Sequence, residues 1–177
     1  MSEIIIEKSN EKIIGLILFF ILSNILSIFM IFNSNFFVSK FIQNDILIFI
    51  GGIIGFIYTF AMVITHIILL LNKEKGIILT NFGITDNSNY ESLGYIKWDD
   101  ISHIKTVKTY SGEYLELSIK NKKNYIINNN ISLLKRLLIV MNNWHPNETI
   151  ILNSRKLNCT FQELEASVIT KWEKRDN

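Results

Sequence analysis

The chain has 177 residues, enough for one ordinary domain or for a small domain with a membrane anchor, and too few for two large globular units. Its 18 Lys and Arg against 16 Asp and Glu leave a formal charge of +2, which is too mild for a dedicated nucleic-acid-binding surface and argues against a nucleic-acid partner. A single cysteine, Cys159, excludes an intramolecular disulfide, and with three histidines it forms no recognised zinc spacing, so the fold must rest on its own apolar core.

Apolar residues concentrate before Asn72 and charge follows it. Residues 1–12 read as a short N-terminal segment. Residues 13–32 (IIGLILFFILSNILSIFMIF) carry no charge, and 20 residues at ~1.5 Å each span the roughly 30 Å of a bilayer's hydrocarbon core. A signal peptide is the rival reading, but its apolar region is shorter and ends in a small-residue cleavage site, whereas this run leads into NSNFF. In the connection that follows, Phe36, Phe37, Val38, Phe41 and Ile42 are too apolar for a solvated loop and suit the headgroup interface. Residues 46–71 hold 26 residues without Asp, Glu, Lys or Arg and form the second predicted span. Within it Gly51 and Gly55, four apart, are the candidate helix-packing positions, facing either the first helix or a second copy. His66 falls near the end of that helix and reads as a hydrogen-bonded packing histidine rather than a proton relay. Lys8, Lys12, Lys73 and Lys75 flank the hairpin while only Lys40 lies in its connection, which predicts cytoplasmic termini.

Residues 72–177 carry short β-type runs separated by turn residues: GIILT (76–80), LGYIKW (93–98), ISHIKTVKTY (101–110), YLELSIK (114–120) and NYII (124–127). The fourth alternates Leu115, Leu117 and Ile119 with Glu116 and Ser118, the pattern of a half-buried strand. Residues 131–142 (ISLLKRLLIVMN) switch to helical spacing, His145-Pro146-Asn147 breaks it, and 149–153 (TIILN) return to β. Thr160-x-x-Glu163 is a capping box opening a last amphipathic helix, with Phe161, Leu164, Val168, Ile169 and Trp172 as its docking stripe.

A curved antiparallel sheet closed by a C-terminal helix is the architecture of pleckstrin-homology-like (PH-like) domains. The stretch GITDNSNYESLGYIKWDDISHI, 83–104, resembles small bacterial two-span membrane proteins that carry a bacterial PH-like domain after the second span. The resemblance implies a fold class, a transmembrane α-helical hairpin plus an α+β unit with a PH-like antiparallel β-barrel or sheet and a C-terminal amphipathic helix. It also implies a location, the bacterial cytoplasmic membrane, and it identifies no reaction. Read physically, Asp86-Asn87-Ser88-Asn89 is a turn, Ile96 and Trp98 bury one face, and Asp99-Asp100 leads into the next strand.

Nothing in the sequence matches a phosphate-binding loop, a GxSxG elbow, an HExxH pair or a CxxC site, and no cofactor, metal or small-molecule substrate is expected. Cys159, His103 and His145 form no triad by spacing. The expected function is a non-enzymatic interaction module at the inner leaflet, binding the lipid bilayer through its hairpin and a protein partner or a second copy through its β unit. Lys73, Lys75, Lys122 and Lys123 are the candidate lipid-surface contacts. The alternatives are anionic-lipid or envelope-stress sensing and immunity-type membrane protection. Residues 81–92, which hold Asp86 and Glu91 and no Lys or Arg, weigh against phosphoinositide recognition.

Overall fold

The computed structural model describes residues 3–39, 44–110, 112–121, 125, 135 and 149–174. They divide into two compact units, one formed by Asn10–Asn72 and the other jointly by Met1–Ser9 and Lys73–Asn177.

The first unit is a pair of helices, α1 (Asn10–Phe32) and α2 (Asp45–Leu71), with a 3-10 turn at Ser34–Phe37 after α1. Asn44 opens α2 by accepting a hydrogen bond from Ile46 N. At ~1.5 Å per residue the helices are roughly 35 and 40 Å long. Both are long and apolar enough to cross a membrane. Leu22, Phe19, Ile54 and Ile57 are among the many large apolar side chains pointing outward. In water such a continuous apolar surface would drive association, whereas a lipid layer covers it at no cost.

The seam between α1 and α2 is small and polar. A Cβ at Gly52 would stand 3.0 Å from Ile31 Cγ1 and 3.1 Å from Ser27 O, and one at Gly55 would stand 2.9 Å from Ser27 Oγ. One turn further on, Asn24 Nδ2 donates to Thr59 Oγ1 at 2.9 Å and to Phe56 O at 3.2 Å. Close backbone approach and interhelical hydrogen bonds are what hold helices together where hydrophobic burial gives no advantage. The stripe is Gly52, Gly55 and Thr59, spaced three and four along one face. Gly51 lies off it, with nothing within 4 Å of an added Cβ, so the Gly51–Gly55 step read from sequence is displaced by one residue at its first member. His66 is buried, its Nδ1 2.7 Å from Met62 O and its ring 5.3 Å from that of Phe20, in keeping with a packing role.

The second unit contains two antiparallel sheets and a helix. Strands β1 (Ile4–Ile6), β2 (Ile77–Leu79), β3 (Gly83–Asp86) and β4 (Gly94–Lys97) form one sheet in that order. Strands β5 (Ile101–Thr109), β6 (Gly112–Ile119) and β7 (Thr149–Leu152) form the other. A 3-10 turn at Trp98–Asp100 joins β4 to β5. No barrel closes among the described residues. Helix α3 (Phe161–Glu173) carries the expected capping box, with Thr160 accepting from Glu163 N and the Glu163 side chain accepting from Thr160 N.

Two strands depart from the sequence reading. Residues 1–12 do not form a free segment: Ile4, Ile5 and Ile6 pair with Leu79, Ile78 and Ile77. Residues 83–86 form β3, where a loop was expected between the first two runs, so residues 81–92 are not one connection. The helix expected over 131–142 apart from Lys135, the breaker at 145–147, the run 124–127 apart from Tyr125, and Lys40, Phe41 and Ile42 lie outside the described residues.

The core draws on every part of this unit. Ile6, Ile77, Leu79, Ile84 and Ile96 from the first sheet and Trp98 from the turn after it meet Ile101, Leu115, Leu117, Ile119 and Leu152 from the second, with Phe161, Leu164 and Val168 of α3 laid over them. Trp98 is 1% exposed, and its indole Nε1 donates to Thr80 O at 3.0 Å, which pins the β2–β3 turn. Trp172 is only partly buried, at the edge of the helix stripe.

Because β1 belongs to this unit, residues 73–177 alone should be impaired. Losing the buried Ile6 removes about 1.5–3 kcal/mol, roughly 6–20 °C of Tm in a domain this size. Joining Ser9 to Lys73 through a short Gly/Ser linker restores β1 and should give the higher, cooperative thermal transition by circular dichroism. Equal transitions for the two forms would mean that β1 contributes nothing. In the hairpin, Gly52→Val should loosen α1–α2 pairing while Gly51→Val leaves it intact, read as helix-pair thermal stability in detergent.

Candidate functional site

Of the lipid-surface candidates, Lys73 is exposed, and Lys75 forms an ion pair with Glu7 across the β1–β2 end of the sheet. Lys122 and Lys123 lie outside the described residues. Gly51 and Gly55 belong to the helical hairpin. The described candidates thus fall in two units, Lys73 and Lys75 in the β unit and Gly51 and Gly55 in the hairpin.

The signature stretch 83–104 instead builds a polar turn. Asp86 ends β3 and is 5% exposed. Its Oδ1 accepts from Ser88 N at 2.9 Å and its Oδ2 from Ser92 Oγ at 2.7 Å. Ser92 Oγ in turn accepts from Asn89 N at 3.1 Å, and Lys156 Nζ donates to Asn89 Oδ1 at 2.7 Å. A carboxylate two residues before a backbone N–H is the geometry of an Asx turn, so the Asp-x-Ser spacing has a structural cause. Burial pushes the Asp86 carboxyl above the usual range, and the Ser88 and Ser92 hydrogen bonds oppose it. Further along, Asp100 accepts from the Tyr125 hydroxyl, whose pKa burial and that carboxylate push up to about 12. Asp100 O also accepts from Lys120 N at 2.8 Å. Asp99 and Asp100 thus hold the turn into β5.

Cations surround the Asp86 turn, but carboxylates alternate with them. Burial lowers the pKa of Lys156 against the pull of Glu91 and Asp86, that of Lys135 against Asp86, Glu91 and Glu74, and that of Lys8 against Glu74. Each of these ammonium groups faces a carboxylate, and Arg155 adds a further cation beside Lys156, so among the described residues the positive charge that a phosphate headgroup needs is largely offset.

The other feature is a groove of about 400 Å³ between β1 and α3. Ile5 and Glu7 form one side, Asn158 and Cys159 the floor, and Glu163 and Ser167 of α3 the other side. Its geometry follows from β1 being a sheet edge. Glu7 O accepts from Asn158 N at 2.9 Å and Ser9 N donates to Lys156 O at 2.8 Å, flanking a bridge between Lys8 and Leu157. Backbone groups of successive residues point to opposite sides of a strand, so Ile4 and Ile6 face β2 while Ile5, Glu7 and Ser9 face away. Residues 156–158 cover Glu7 and Ser9 and stop short of Ile5. The sequence pattern singled out none of these residues except Cys159 and Glu163; the only signal was three isoleucines between two glutamates.

No protein-family model, curated protein or solved structure matches this chain, so the resemblance of residues 83–104 rests on those residues alone.

The Asp86 turn can be tested by pH. Below the unfolded-state pKa both states hold the proton. As pH rises from about 4 toward the raised folded value, the unfolded chain ionises first, so Asp86 makes stability fall across that window and level off above it. Asp86→Asn should flatten this limb relative to wild type in urea titrations followed by Trp fluorescence. Asp86→Ala, which orphans Ser88 N–H and the Ser92 hydroxyl, should cost about 1–3 kcal/mol per unsatisfied group at every pH.

Proposed function

We propose that this chain is a membrane-anchored interaction module. Its hairpin, α1 and α2, crosses a bacterial cytoplasmic membrane twice, and its β unit is a PH-like domain that engages a protein partner, or a second copy, at the inner leaflet. The observation that carries this reading is the β1–β2 pairing: strands on either side of the hairpin lie side by side in one sheet. A hairpin that spans must then return the chain to the side it left. Lys8, Lys12, Lys73 and Lys75 at the hairpin's open end favour the cytoplasmic side.

The PH-like assignment is supported by antiparallel strands in meander order, by α3 packed over their core, and by the resemblance of residues 83–104. The polar residues of that stretch are engaged in holding turns, which favours a binding surface over a reaction centre. Lipid-headgroup sensing is less well supported, because Lys8, Lys135 and Lys156 are offset by Glu74, Glu91 and Asp86. Cross-linking the full chain in membranes, set against flotation of the Ser9–Lys73 fusion with phosphatidylglycerol or cardiolipin vesicles, separates the two readings. A discrete protein complex without vesicle binding supports the module, and vesicle binding without a complex sinks it.

Topology has its own test. A cytoplasm-active fluorescent protein fused after Asn177 should fluoresce, and an export-dependent phosphatase should be active only when inserted near Asn35. The reverse pattern places the β unit outside the cell and removes the inner-leaflet reading.

A further inference from the structure

We infer that the edge of β1 that the described residues leave uncovered, with the groove between β1 and α3, takes an extended cationic segment of a partner protein as an added β-strand. This rests on the interaction-module reading and names its site. At Ile5 a backbone N–H and a backbone C=O face outward, beside the point where residues 156–158 cease to cover the edge. An adjacent donor and acceptor at strand spacing is matched by another peptide backbone, which is the basis of strand addition. A small anion supplies acceptors only, and a lipid headgroup does not repeat its donor and acceptor at strand spacing. The Ile5 side chain is 48% exposed on the outer face of the sheet and offers apolar contact to an alternating strand.

Charge identifies the occupant. Glu7 and Glu163 stand on opposite sides of the groove, and among the described residues no cation lines it. Hydrogen bonds from Thr160 hold the Glu163 carboxyl below its usual range, so it stays ionised. The Glu7–Lys75 pair is about half exposed, and such pairs contribute little, so an incoming cation can share that carboxylate. A second copy fits poorly. Two β1 edges paired about a twofold axis at Ile5 would set Glu3 of each chain opposite Glu7 of the other, and like charges directly opposed destabilise a strand pair.

The test uses the full chain in detergent micelles with four seven-residue peptides. These are an alternating Lys/Val peptide, its Glu-for-Lys counterpart, and the Lys peptide N-methylated on alternate amides, made in both registers. The Lys/Val peptide should bind and slow hydrogen exchange of the Ile5 amide at least tenfold. The Glu peptide, and at least one N-methylated register, should bind at least tenfold more weakly. Ser167→Trp, which fills the groove from α3 without altering β1, should weaken the Lys/Val peptide at least tenfold, with the thermal transition of the β unit retained as the folding control. Ile5→Pro, which removes the outward N–H together with the exposed Ile5 side chain, should do the same.

Equal binding of all peptides, no binding, or binding unaffected by Ser167→Trp would overturn the edge site. So would a concentration-dependent dimer that itself protects Ile5. If a complex cross-linked in membranes survives Ser167→Trp and Ile5→Pro, the edge site is wrong and the module reading stands. If no complex forms in membranes and none of the peptides binds, both fall.

Discussion

The pairing of β1 with β2 is the constraint on which the rest of the structure depends. Three residues before the hairpin pair in register with three after it, so the helices are an insertion between two neighbouring strands of one sheet, not an anchor attached to a finished domain. Pairing fixes the register of β2, because Ile77 and Leu79 must face the same side as Ile4 and Ile6 to reach the core. It leaves β1 as the sheet's edge, and it places Lys8 and Ser9 where residues 156–158 can close over them.

The two units solve one problem, the burial of polar groups, in different surroundings. Along the hairpin, where the outward surface is apolar, Asn24 and Thr59 turn toward each other and glycines bring the backbones close. In the β unit, Asp86 collects donors from its own turn instead. An isolated buried carboxylate would be costly, and the hydrogen bonds from Ser88 and Ser92 offset part of that cost while neighbouring Glu91 adds to it, which is why its pKa still rises.

Legibility from sequence followed the length of the pattern. The long apolar runs stood out as helices, and the alternation of Leu115, Leu117 and Ile119 matched their burial in β6. The box at Thr160 and Glu163 depends on residues three apart and was readable from them. β1 was not readable, since three consecutive isoleucines show no period and their partner lies beyond two helices. β3 was masked by turn-forming neighbours: Gly83 and Asp86 read as loop residues until the buried pairing of Ile84 is known. The Gly51–Gly55 step fitted a familiar motif, but Ser27 and Ile31 on the opposite helix decided the phase. The edge groove depends on where residues 156–158 stop, and that is a tertiary fact with no local signature.

The insertion also sets an order of assembly. β1 leaves the ribosome first, yet β2 follows only after roughly 70 more residues, several seconds later at ordinary synthesis rates. A flexible loop of that length would add an entropic barrier to closure. Here α1 and α2 pair with each other and bring the two ends of the loop back together, so the helices act as a splint for the sheet. Residues 156–158 emerge later still, and they fasten Glu7 and Ser9. A segment made before the hairpin is thus secured only after residues 156–158 emerge, and until then the nascent chain carries a short isoleucine strand with an open edge.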